Sequence, residues 1–342
     1  MNSGIIAQAP GKLFLAGEYA VLDGGPAVLV AVEPGIRVVT TKEDSRRSGI
    51  RLLAPQAGVD TEIPPAASAH NLDGLARFVA ACFAVMPEEE RRRIPDTLEI
   101  RVEFPRFSAS AAKIGLGSSA ALVSAVTATL VEVCFGLGAS GELRALVFAR
   151  ARAAHCYAQA GRGSGADVAA CVFGGAILYE PLEPEVLVSP LNWPPTLELL
   201  SAWSGRSACT PELITAYERT KRANPSAHAL FLERSAGAVA SLAGALGGRG
   251  NVVQAWRRAA QVLPAFAEQL GLPYFTPELR LLTEAAARLH IPAKPSGAGG
   301  GDCAIALCPA QSRTELARAW QELGFPPLEI QPATEGVRCA QA

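Results

Sequence analysis

Two glycines and two serines stand directly before a long apolar segment, in the stretch KIGLGSSAAL that begins at Lys113. Gly115 and Gly117 let the backbone take positive φ angles and approach a ligand closely, because glycine has no side chain. Either serine could cap the helix that we expect to follow. The first amides of that helix have no partner inside it and attract an anion. A serine hydroxyl can also bind Mg²⁺ in a phosphate loop, so the stretch predicts a loop around a nucleotide phosphate.

Other interpretations of this loop are open to direct comparison with known patterns. The Walker A string GxxxxGK[ST] does not occur in the chain. GLGSSA matches the dinucleotide pattern GxGxxA, but small and polar residues precede it instead of a buried strand. Glu132 also follows too early to bind a ribose. A Rossmann fold is therefore disfavoured, whereas an ordinary glycine turn with a serine cap stays an alternative.

A second motif, APGKLFLAGEYAVLDGG, begins at Ala9. Lys12 follows a Pro-Gly pair and leads an apolar strand, where its fixed positive charge could face a phosphate. Glu18 and Tyr19 lie in the next turn between apolar runs, where a polar pair often faces a pocket. A surface lysine at the start of a strand is the plainer alternative for Lys12.

Two further stretches combine glycine with aspartate. Four of the five residues 297–301 are glycine in KPSGAGGGDCAIAL, which indicates backbone packed tightly against another loop or a ligand. Asp302 in this stretch could simply close an Asx-turn. Ser164-Gly165-Ala166-Asp167 likewise precedes a GG pair, and Asp167 there could be the N-cap of a helix.

Composition limits the classes of function. The chain has 342 residues, a formal net charge of -1 and 49% hydrophobic residues, which fits one large or two ordinary folded domains and gives no sign of nucleic-acid or membrane binding. None of the eight cysteines forms a CxxC pair, so we expect reduced thiols in a cytoplasmic protein rather than a disulfide framework or zinc site. No signal peptide is evident, and polar residues interrupt the most apolar stretch, 120–137, as in a buried helix.

The periodicity of apolar residues predicts an α+β fold, because strands and helices mix without strict alternation. Gly4 to Val39 is expected to form short strands joined by glycine turns, and LEIRVEF a half-buried strand. Further strands are expected at 174–179, in LELLSAWSG and at 304–308. Helices are expected at 71–85, 120–135, 141–159, 211–221, 227–246, 251–270, 279–290 and 313–323. Prolines cluster between 181 and 195, which suggests a domain boundary there.

The three glycine-containing motifs, in this order, resemble those of the GHMP kinase superfamily, whose members phosphorylate small metabolites with ATP. They extend from residue 9 to residue 308, so the resemblance covers nearly the whole chain. It implies the GHMP kinase fold with two domains, residues 1–190 and 191–342. The first would bind ATP in a left-handed βαβ arrangement, and the second would be ferredoxin-like.

Within the superfamily the details are similar to phosphomevalonate kinases. Tyr19 stands where mevalonate kinases usually carry histidine, Asp302 stands where they tend to lack aspartate, and Trp203-Ser204-Gly205 is similar to a WTG segment. The resemblance implies transfer of phosphate from ATP to 5-phosphomevalonate in the mevalonate route to isoprenoids. The alternatives are a mevalonate kinase or another small-metabolite kinase of the superfamily, and a catalytically silent metabolite-binding protein. The oligomeric state stays open.

The resemblance also implies roles for particular residues. Lys12 and Asp167 would be catalytic, and Ser119 would bind Mg²⁺. The ATP phosphates would lie on Lys113, Gly115, Leu116, Gly117, Ser118, Ser119 and Ala120. The acceptor would be bound by Glu18, Tyr19, Arg162, Ser164, Arg206, Ser207 and Gly299. For the arginines, a solvated surface charge is the plainer interpretation.

One position departs from the superfamily pattern. Mevalonate kinases carry a metal-binding glutamate about 11 residues before the aspartate, and here that position is Cys156, next to His155. Metal binding would then depend on Ser119, the nucleotide phosphates and water, or on Asp167 itself. His155 could bind substrate or metal, or could be a satisfied polar residue of an amphipathic helix.

Overall fold

The computed structural model describes residues 4–43, 48–64, 67–105, 114–136, 141–182 and 185–341, so Lys113 lies outside the described residues. The strands are β1 Ile5–Ala16, β2 Ala27–Lys42, β3 Gly49–Ala54, β4 Val59–Ile63, β5 Thr97–Glu103, β6 Ala176–Leu182, β7 Glu185–Leu191, β8 Leu197–Trp203, β9 Ala293–Pro295, β10 Cys303–Pro309, β11 Gln331–Pro332 and β12 Arg338–Gln341. The helices are α1 Gly74–Ala84, α2 Glu88–Arg91, α3 Ser118–Phe135, α4 Gly141–Ala158, α5 Ala166–Phe173, α6 Thr210–Ala223, α7 Pro225–Leu246, α8 Val252–Leu270, α9 Pro277–Arg288 and α10 Ala310–Glu322.

The strands form two sheets, which confirms the expected α+β class. The first sheet has the order β12-β1-β2-β5-β3-β4, with β6 and β11 also paired to β2 and β7 paired to β6. The second has the antiparallel order β8-β10-β9. Only the pair β3–β5 is parallel among the described strands, and its connection passes through β4 and α1.

The part of the first sheet formed by residues 11–16 of β1 and 27–32 of β2 lies between two layers of the protein. One face packs against α1, α3, α4 and α5 in a core of small and branched apolar side chains. The other face, with Leu13 and Val30, packs against Leu199 and Ile305 of the second sheet and against α7 and α8. Burying one such side chain stabilises the fold by about 1.5–3 kcal/mol. This second core holds β1, and therefore Lys12, against the second sheet.

The segment from Gly4 to Val39 forms two long strands joined by the turn at residues 17–26, so the expectation that these strands are short is wrong. β1 continues through both residues and pairs with β2 from Ile5 to Ala16, with a register shift between Ala9 and Gly11. Such a bulge keeps the ladder intact on both sides while the proline, which cannot donate, sits at the irregularity. The bulge brings Gly11 against the backbone oxygen of Leu116 in the glycine loop.

The apolar stretch after the glycine loop is the buried helix α3. Its residues Ala120 to Val131 are at most 4% exposed, because the helix lies between the first sheet and its neighbouring helices. α3 and α7 have the length and composition that could cross a membrane, but 72% of the apolar window of α3 is buried inside the protein. A core helix explains that composition.

The proline cluster falls largely in an edge hairpin. Pro181 pairs with Val186 and Pro190 pairs with Ile177, at positions of β6 and β7 where no further strand needs the missing donor. The C-terminal strands β11 and β12 return to the first sheet, next to β2 and β1. The division into residues 1–190 and 191–342 stays a prediction.

Candidate active site

The glycine loop before α3 receives side chains from the other two motifs. Gly115 and Gly117 have φ angles of 86° and 75°. A Cβ added to Gly117 would lie 2.7 Å from Cε of Lys12, and one added to Gly115 would collide with the side chain of Asp302. Only glycine therefore allows Lys12 and Asp302 to pack directly on this loop.

The serines of the loop do not cap α3, contrary to the expectation from sequence. Gly117 is the N-cap residue, and no side chain makes a capping hydrogen bond there. Ser118 and Ser119 instead occupy the first two positions inside the helix. Their hydroxyls are therefore not used at the helix end, and the first amide groups of α3 remain directed at the loop.

Lys12 is anchored to the loop through its backbone. Its amide donates to the backbone oxygen of Leu116 at 2.9 Å. Its half-buried side chain runs along Gly117, and Nζ lies 5.2 Å from the centre of the Phe14 ring. The ammonium group is thereby held beside the amino end of α3, where a phosphate would carry negative charge.

Asp167 lies inside the first turn of α5, so it is not the N-cap that the plainer interpretation expected. Gly165 is the N-cap residue, with a φ of 83°. The Asp167 side chain is 24% exposed, and its Oδ1 accepts from the amide of Val168 at 2.9 Å.

Burial is the main reason that the pKa of the neighbouring Cys171 thiol is raised. The charge of Asp167 raises it further and that of Lys12 lowers it. The Asp167 carboxylate and the Lys12 ammonium therefore both lie close enough to the Cys171 thiol to change its pKa.

The loop before Asp167 is fixed from two sides. Tyr179 donates its hydroxyl to the backbone oxygen of Ser164, whose own Oγ accepts from the amide of Ala166 at 3.3 Å. A Cβ at Gly165 would lie 2.8 Å from Cγ of Arg152, so the arginine stem packs directly across this glycine. Sequence reasoning missed Arg152, because nothing in its spacing distinguishes it from other arginines of α4.

His155 joins the glycine loop to the aspartate. Its Nε2 lies 3.1 Å from Oγ of Ser119 and 3.8 Å from Oδ2 of Asp167. The side chain is 3% exposed. The structure thus brings Ser119, His155 and Asp167 together from α3, α4 and α5.

The turn of the first motif is locked to the third motif. Glu18 is 5% exposed and forms an ion pair with Lys294, which also contacts the backbone oxygen of Pro295 at 3.2 Å. Tyr19 has a φ of 60° and donates its hydroxyl to the oxygen of Ala298 at 2.8 Å. Burial, followed by the charge of Glu18, raises the pKa of Tyr19, so its hydroxyl stays a neutral donor. The pairing of Glu18 with Lys294 was missed, because 276 residues separate them.

Asp302 connects the third motif to the turn after β8. Its Oδ1 accepts from the amide of Ala208 at 3.0 Å, and its amide donates to the oxygen of Arg206 at 2.7 Å. A Cβ at Gly299 would collide with Tyr274, and Gly300 donates to the oxygen of Tyr274 at 2.7 Å. The glycine run is therefore packed against protein backbone, as its sequence predicts.

The expected cations of the acceptor site differ in their surroundings. Arg206 is 64% exposed and forms an ion pair with Glu278 at 3.0 Å. Arg162 is exposed in the loop that leads to Asp167, and Ser207 is exposed next to Arg206. Lys113 lies outside the described residues.

The donor set fits Mg²⁺ better than a metal that needs a protein cage. Within the described ranges, no group of three or more His, Cys, Asp or Glu residues could hold a metal ion. Mg²⁺ usually keeps several waters and takes one or two protein oxygens together with substrate phosphates. The Ser119 hydroxyl and the Asp167 carboxylate, on either side of His155, are oxygen donors of that kind.

Comparison with known proteins gives consistent likenesses. Residues 77–175 match the family model for the GHMP kinases N terminal domain, and residues 249–325 match that for GHMP kinases C terminal. The chain is 33% identical to a phosphomevalonate kinase from Streptomyces sp. (strain CL190), over 97% of this chain and 98% of that protein. It is 27% identical to a mevalonate kinase from Pyrococcus furiosus, over 98% of each.

A solved structure has the same fold. The Streptococcus pneumoniae phosphomevalonate kinase in complex with phosphomevalonate and AMPPNP aligns with a TM-score of 0.76 and 24% identity. The alignment covers 96% of this chain and 99% of that chain.

Proposed function

The chain belongs to the GHMP kinases, and on that premise we propose that it transfers the γ-phosphoryl group of ATP to 5-phosphomevalonate. The products would be ADP and 5-diphosphomevalonate. The observation that carries this choice of acceptor is the 33% identity, over nearly the full length of both chains, to the Streptomyces phosphomevalonate kinase. The mevalonate kinase from Pyrococcus furiosus reaches 27% over a similar length.

The contacts of Tyr19 and Asp302 support the same choice. These are two of the positions at which the sequence resembles phosphomevalonate kinases more than mevalonate kinases. Tyr19 ties the first motif to Ala298, and Asp302 ties the third motif to Ala208. Both residues thus fix loops beside Lys12 and the turn after β8, where the acceptor would lie.

The phosphates of ATP would lie on the loop from Gly115 to Ala120. The free amide groups at the start of α3 donate to phosphate oxygens, and the helix dipole adds partial positive charge. Ser119 and Asp167 would hold Mg²⁺, which supplies charge that stabilises the transferring phosphoryl group. Lys12, whose carbon stem packs on Gly117, would add a fixed positive charge at the same place.

Asp167 would orient the attacking oxygen of the acceptor and accept its proton where one is present. A phosphate monoester has a second pKa of about 6, so an acceptor phosphate is mostly deprotonated at neutral pH. Positioning by Asp167 therefore matters more than its basicity. Arg162 and Arg206 would bind the phosphate that the acceptor already carries, and Arg206 would then exchange its contact with Glu278 for the acceptor.

The decisive experiment is a coupled ADP-release assay with ATP and Mg²⁺, comparing mevalonate with 5-phosphomevalonate. We expect turnover with 5-phosphomevalonate only. Asp167→Asn keeps the size of the side chain but removes its charge, and we expect it to lower kcat at least 100-fold, within the range for loss of a positioned catalytic group. Asp73→Asn, at a fully exposed carboxylate that pairs with Arg77, is the matched control with unchanged kcat.

Other results of this assay would indicate a different function. Turnover with mevalonate alone would make the chain a mevalonate kinase. Absence of turnover with both acceptors, with ATP binding retained, would direct the search to other small metabolites or to a silent binding protein. Full activity of Asp167→Asn would remove Asp167 from the catalytic group.

A further inference from the structure

His155 lies where three helices meet behind the glycine loop. It belongs to the last turn of α4, and its ring stacks on Phe78 of α1 with 5.6 Å between ring centres. The side chain is 3% exposed, so its polar atoms must find partners within the protein. Those partners come from the first turn of α3 and from the turn that directly follows α4.

The contacts of Nε2 single out Ser119 as its partner in the loop. The distance from Nε2 to Oγ of Ser119 is 3.1 Å, which is a hydrogen bond, whereas Oδ2 of Asp167 lies 3.8 Å away and is beyond one. Nε2 of Gln159 also lies 3.1 Å from the same ring nitrogen. The NH₂ of Gln159 can only donate, so Nε2 is the unprotonated nitrogen of the ring, and its single lone pair is shared between this NH₂ and the Ser119 hydroxyl.

We propose that His155 is a positioning residue that accepts the hydroxyl proton of Ser119 at Nε2 and so turns the oxygen lone pairs of Ser119 toward Mg²⁺. Nδ1 then carries the ring proton. The inference rests on the proposed role of Ser119 in binding the Mg²⁺–ATP complex, and it does not depend on which acceptor the enzyme uses.

The physical reason is the limited capacity of a hydroxyl. Ser119 has one proton and two lone pairs, and a metal can take only a lone pair. A freely rotating hydroxyl spends part of its time with the proton toward the cation. A fixed acceptor behind the serine removes those orientations before the metal binds. Partners of this kind, one step removed from the metal, typically change metal affinity 10–100-fold when they are removed.

The neighbouring position does not provide this contact. Cys156 is the next residue along α4, but it is the side chain of His155 that bonds to Ser119. On this proposal, α4 acts on the metal site through a hydrogen bond to its serine.

The test is calorimetric titration with ATP, in Mg²⁺ and in EDTA, of full-length wild type, His155→Phe and His155→Gln. Phenylalanine keeps the ring that packs on Phe78 and loses the nitrogen, while glutamine keeps a polar group near Nε2 and loses the ring. We expect His155→Phe to weaken ATP binding in Mg²⁺ about tenfold and to leave binding in EDTA unchanged. His155→Gln should recover most of the lost affinity.

If His155 only packs on Phe78, the two variants should rank in the reverse order of ATP affinity. His155→Phe would then bind like wild type and His155→Gln would bind more weakly in both buffers, which would overturn the proposal. Should the phenylalanine variant fail to fold, as judged by circular dichroism, His155→Leu takes its place and should show the same loss of Mg²⁺-dependent affinity. Wild-type affinity in that variant would overturn the proposal. Cys156→Ala, one residue along α4, is the control and should match wild type.

A double variant shows whether His155 acts through Ser119. If it does, Ser119→Ala combined with His155→Phe should lose no more Mg²⁺-dependent affinity than Ser119→Ala alone. Additive losses would overturn the proposal. These measurements use no acceptor, so failure of the chain to use 5-phosphomevalonate would leave their result intact, and a failure here would leave the acceptor assignment intact.

Discussion

The two glycines at the ends of α3 have similar backbone conformations and different surroundings. Gly117 has a φ of 75° and Gly136 a φ of 58°. A Cβ at Gly117 would lie 2.7 Å from Lys12, whereas one at Gly136 would have nothing within 4 Å. The backbone strain of a substitution is thus comparable at both ends, and only the contact with Lys12 differs.

We therefore expect Gly117→Ala and Gly136→Ala each to lower the free energy of unfolding by about 1–2 kcal/mol, the cost of a side chain in the left-handed region. Only Gly117→Ala should also lower kcat/KM, by at least tenfold, because the methyl group displaces Lys12 from the loop. Urea denaturation and steady-state kinetics on both variants measure the two effects. Equal kinetic losses would show that strain in α3, and not the position of Lys12, controls activity.

The sequence indicated single residues of the candidate site where they belong to a short local motif. Lys12, Ser119 and Asp167 each stand in a short motif whose glycines imply close backbone approach. The contacts between motifs could not be predicted, because they depend on how distant elements pack. His155 and Ser119 are 36 residues apart, and their meeting depends on the crossing of α3 and α4.

At the scale of elements, the turn after β1 is joined to two helices of the second half of the chain. Asp23, at the end of the short helical turn Ala20–Asp23, pairs with Lys221 of α6. It also accepts from Tyr217 at 2.5 Å and lies 3.1 Å from Nε2 of His228 on α7. The Tyr217 ring in turn packs on Tyr19, with 4.6 Å between ring centres. This cluster fixes the turn that carries Glu18 and Tyr19.

We expect Asp23→Asn to lower the free energy of unfolding at pH 7 by about 2 kcal/mol, because it leaves buried donors without their charged acceptor. Burial acts to raise the pKa of Asp23, but hydrogen bonds from Lys221 and Tyr217 outweigh it, so the folded pKa lies below the usual 3.8. A carboxyl with a depressed folded pKa stabilises the protein above its unfolded pKa, and that contribution is lost as pH falls through the folded value.

The difference between wild type and Asp23→Asn should therefore be constant from pH 7 to about pH 5 and shrink below about pH 4. Urea denaturation across this range measures it. Asp60→Asn, which breaks an exposed pair with Arg51, serves as the control and should change stability little. A difference that persists unchanged at pH 3 would mean that the charge of Asp23 is not what stabilises the turn.

Element boundaries followed from sequence where the pattern was long. α4 and α8 lie within one residue of their expected ends, because both combine helix-forming residues with flanking glycine or asparagine. α1 begins at Gly74 instead of residue 71, because residues 69–71 form a separate 3-10 turn. The continuity of β1 through Pro10-Gly11 was not visible, since a bulge stabilised by β2 overrides the turn propensity of that dipeptide.

For the whole molecule, the shared core between the two sheets decides how the halves unfold. Leu13, Leu15 and Val28 of the first sheet lie in one cluster with Leu199, Ile305 and Leu307 of the second. β11 and β12 also belong to the first sheet although they follow the second in sequence. We expect the chain to unfold in a single cooperative transition, even though two domains are proposed.

Tryptophan and cysteine residues report separately on the unfolding of the two halves of the chain. Trp193, Trp203, Trp256 and Trp320 all lie in the second half of the chain, whereas the buried thiols of Cys82 and Cys171 lie in the first. Tryptophan fluorescence and mass-spectrometric labelling of these two cysteines should give coincident urea midpoints. Midpoints that differ clearly would mean that the two halves unfold separately.

β12, which pairs with β1, is synthesised long after it. Gln8 pairs with Arg338, so one edge of β1 finds its partner only after almost the whole chain has been translated. At roughly 5–20 residues per second, that edge waits about half a minute on the ribosome. During this interval the nascent first half presents an uncovered strand, the kind of edge that pairs with other chains. A chaperone that covers this edge during synthesis should therefore raise the yield of the folded protein.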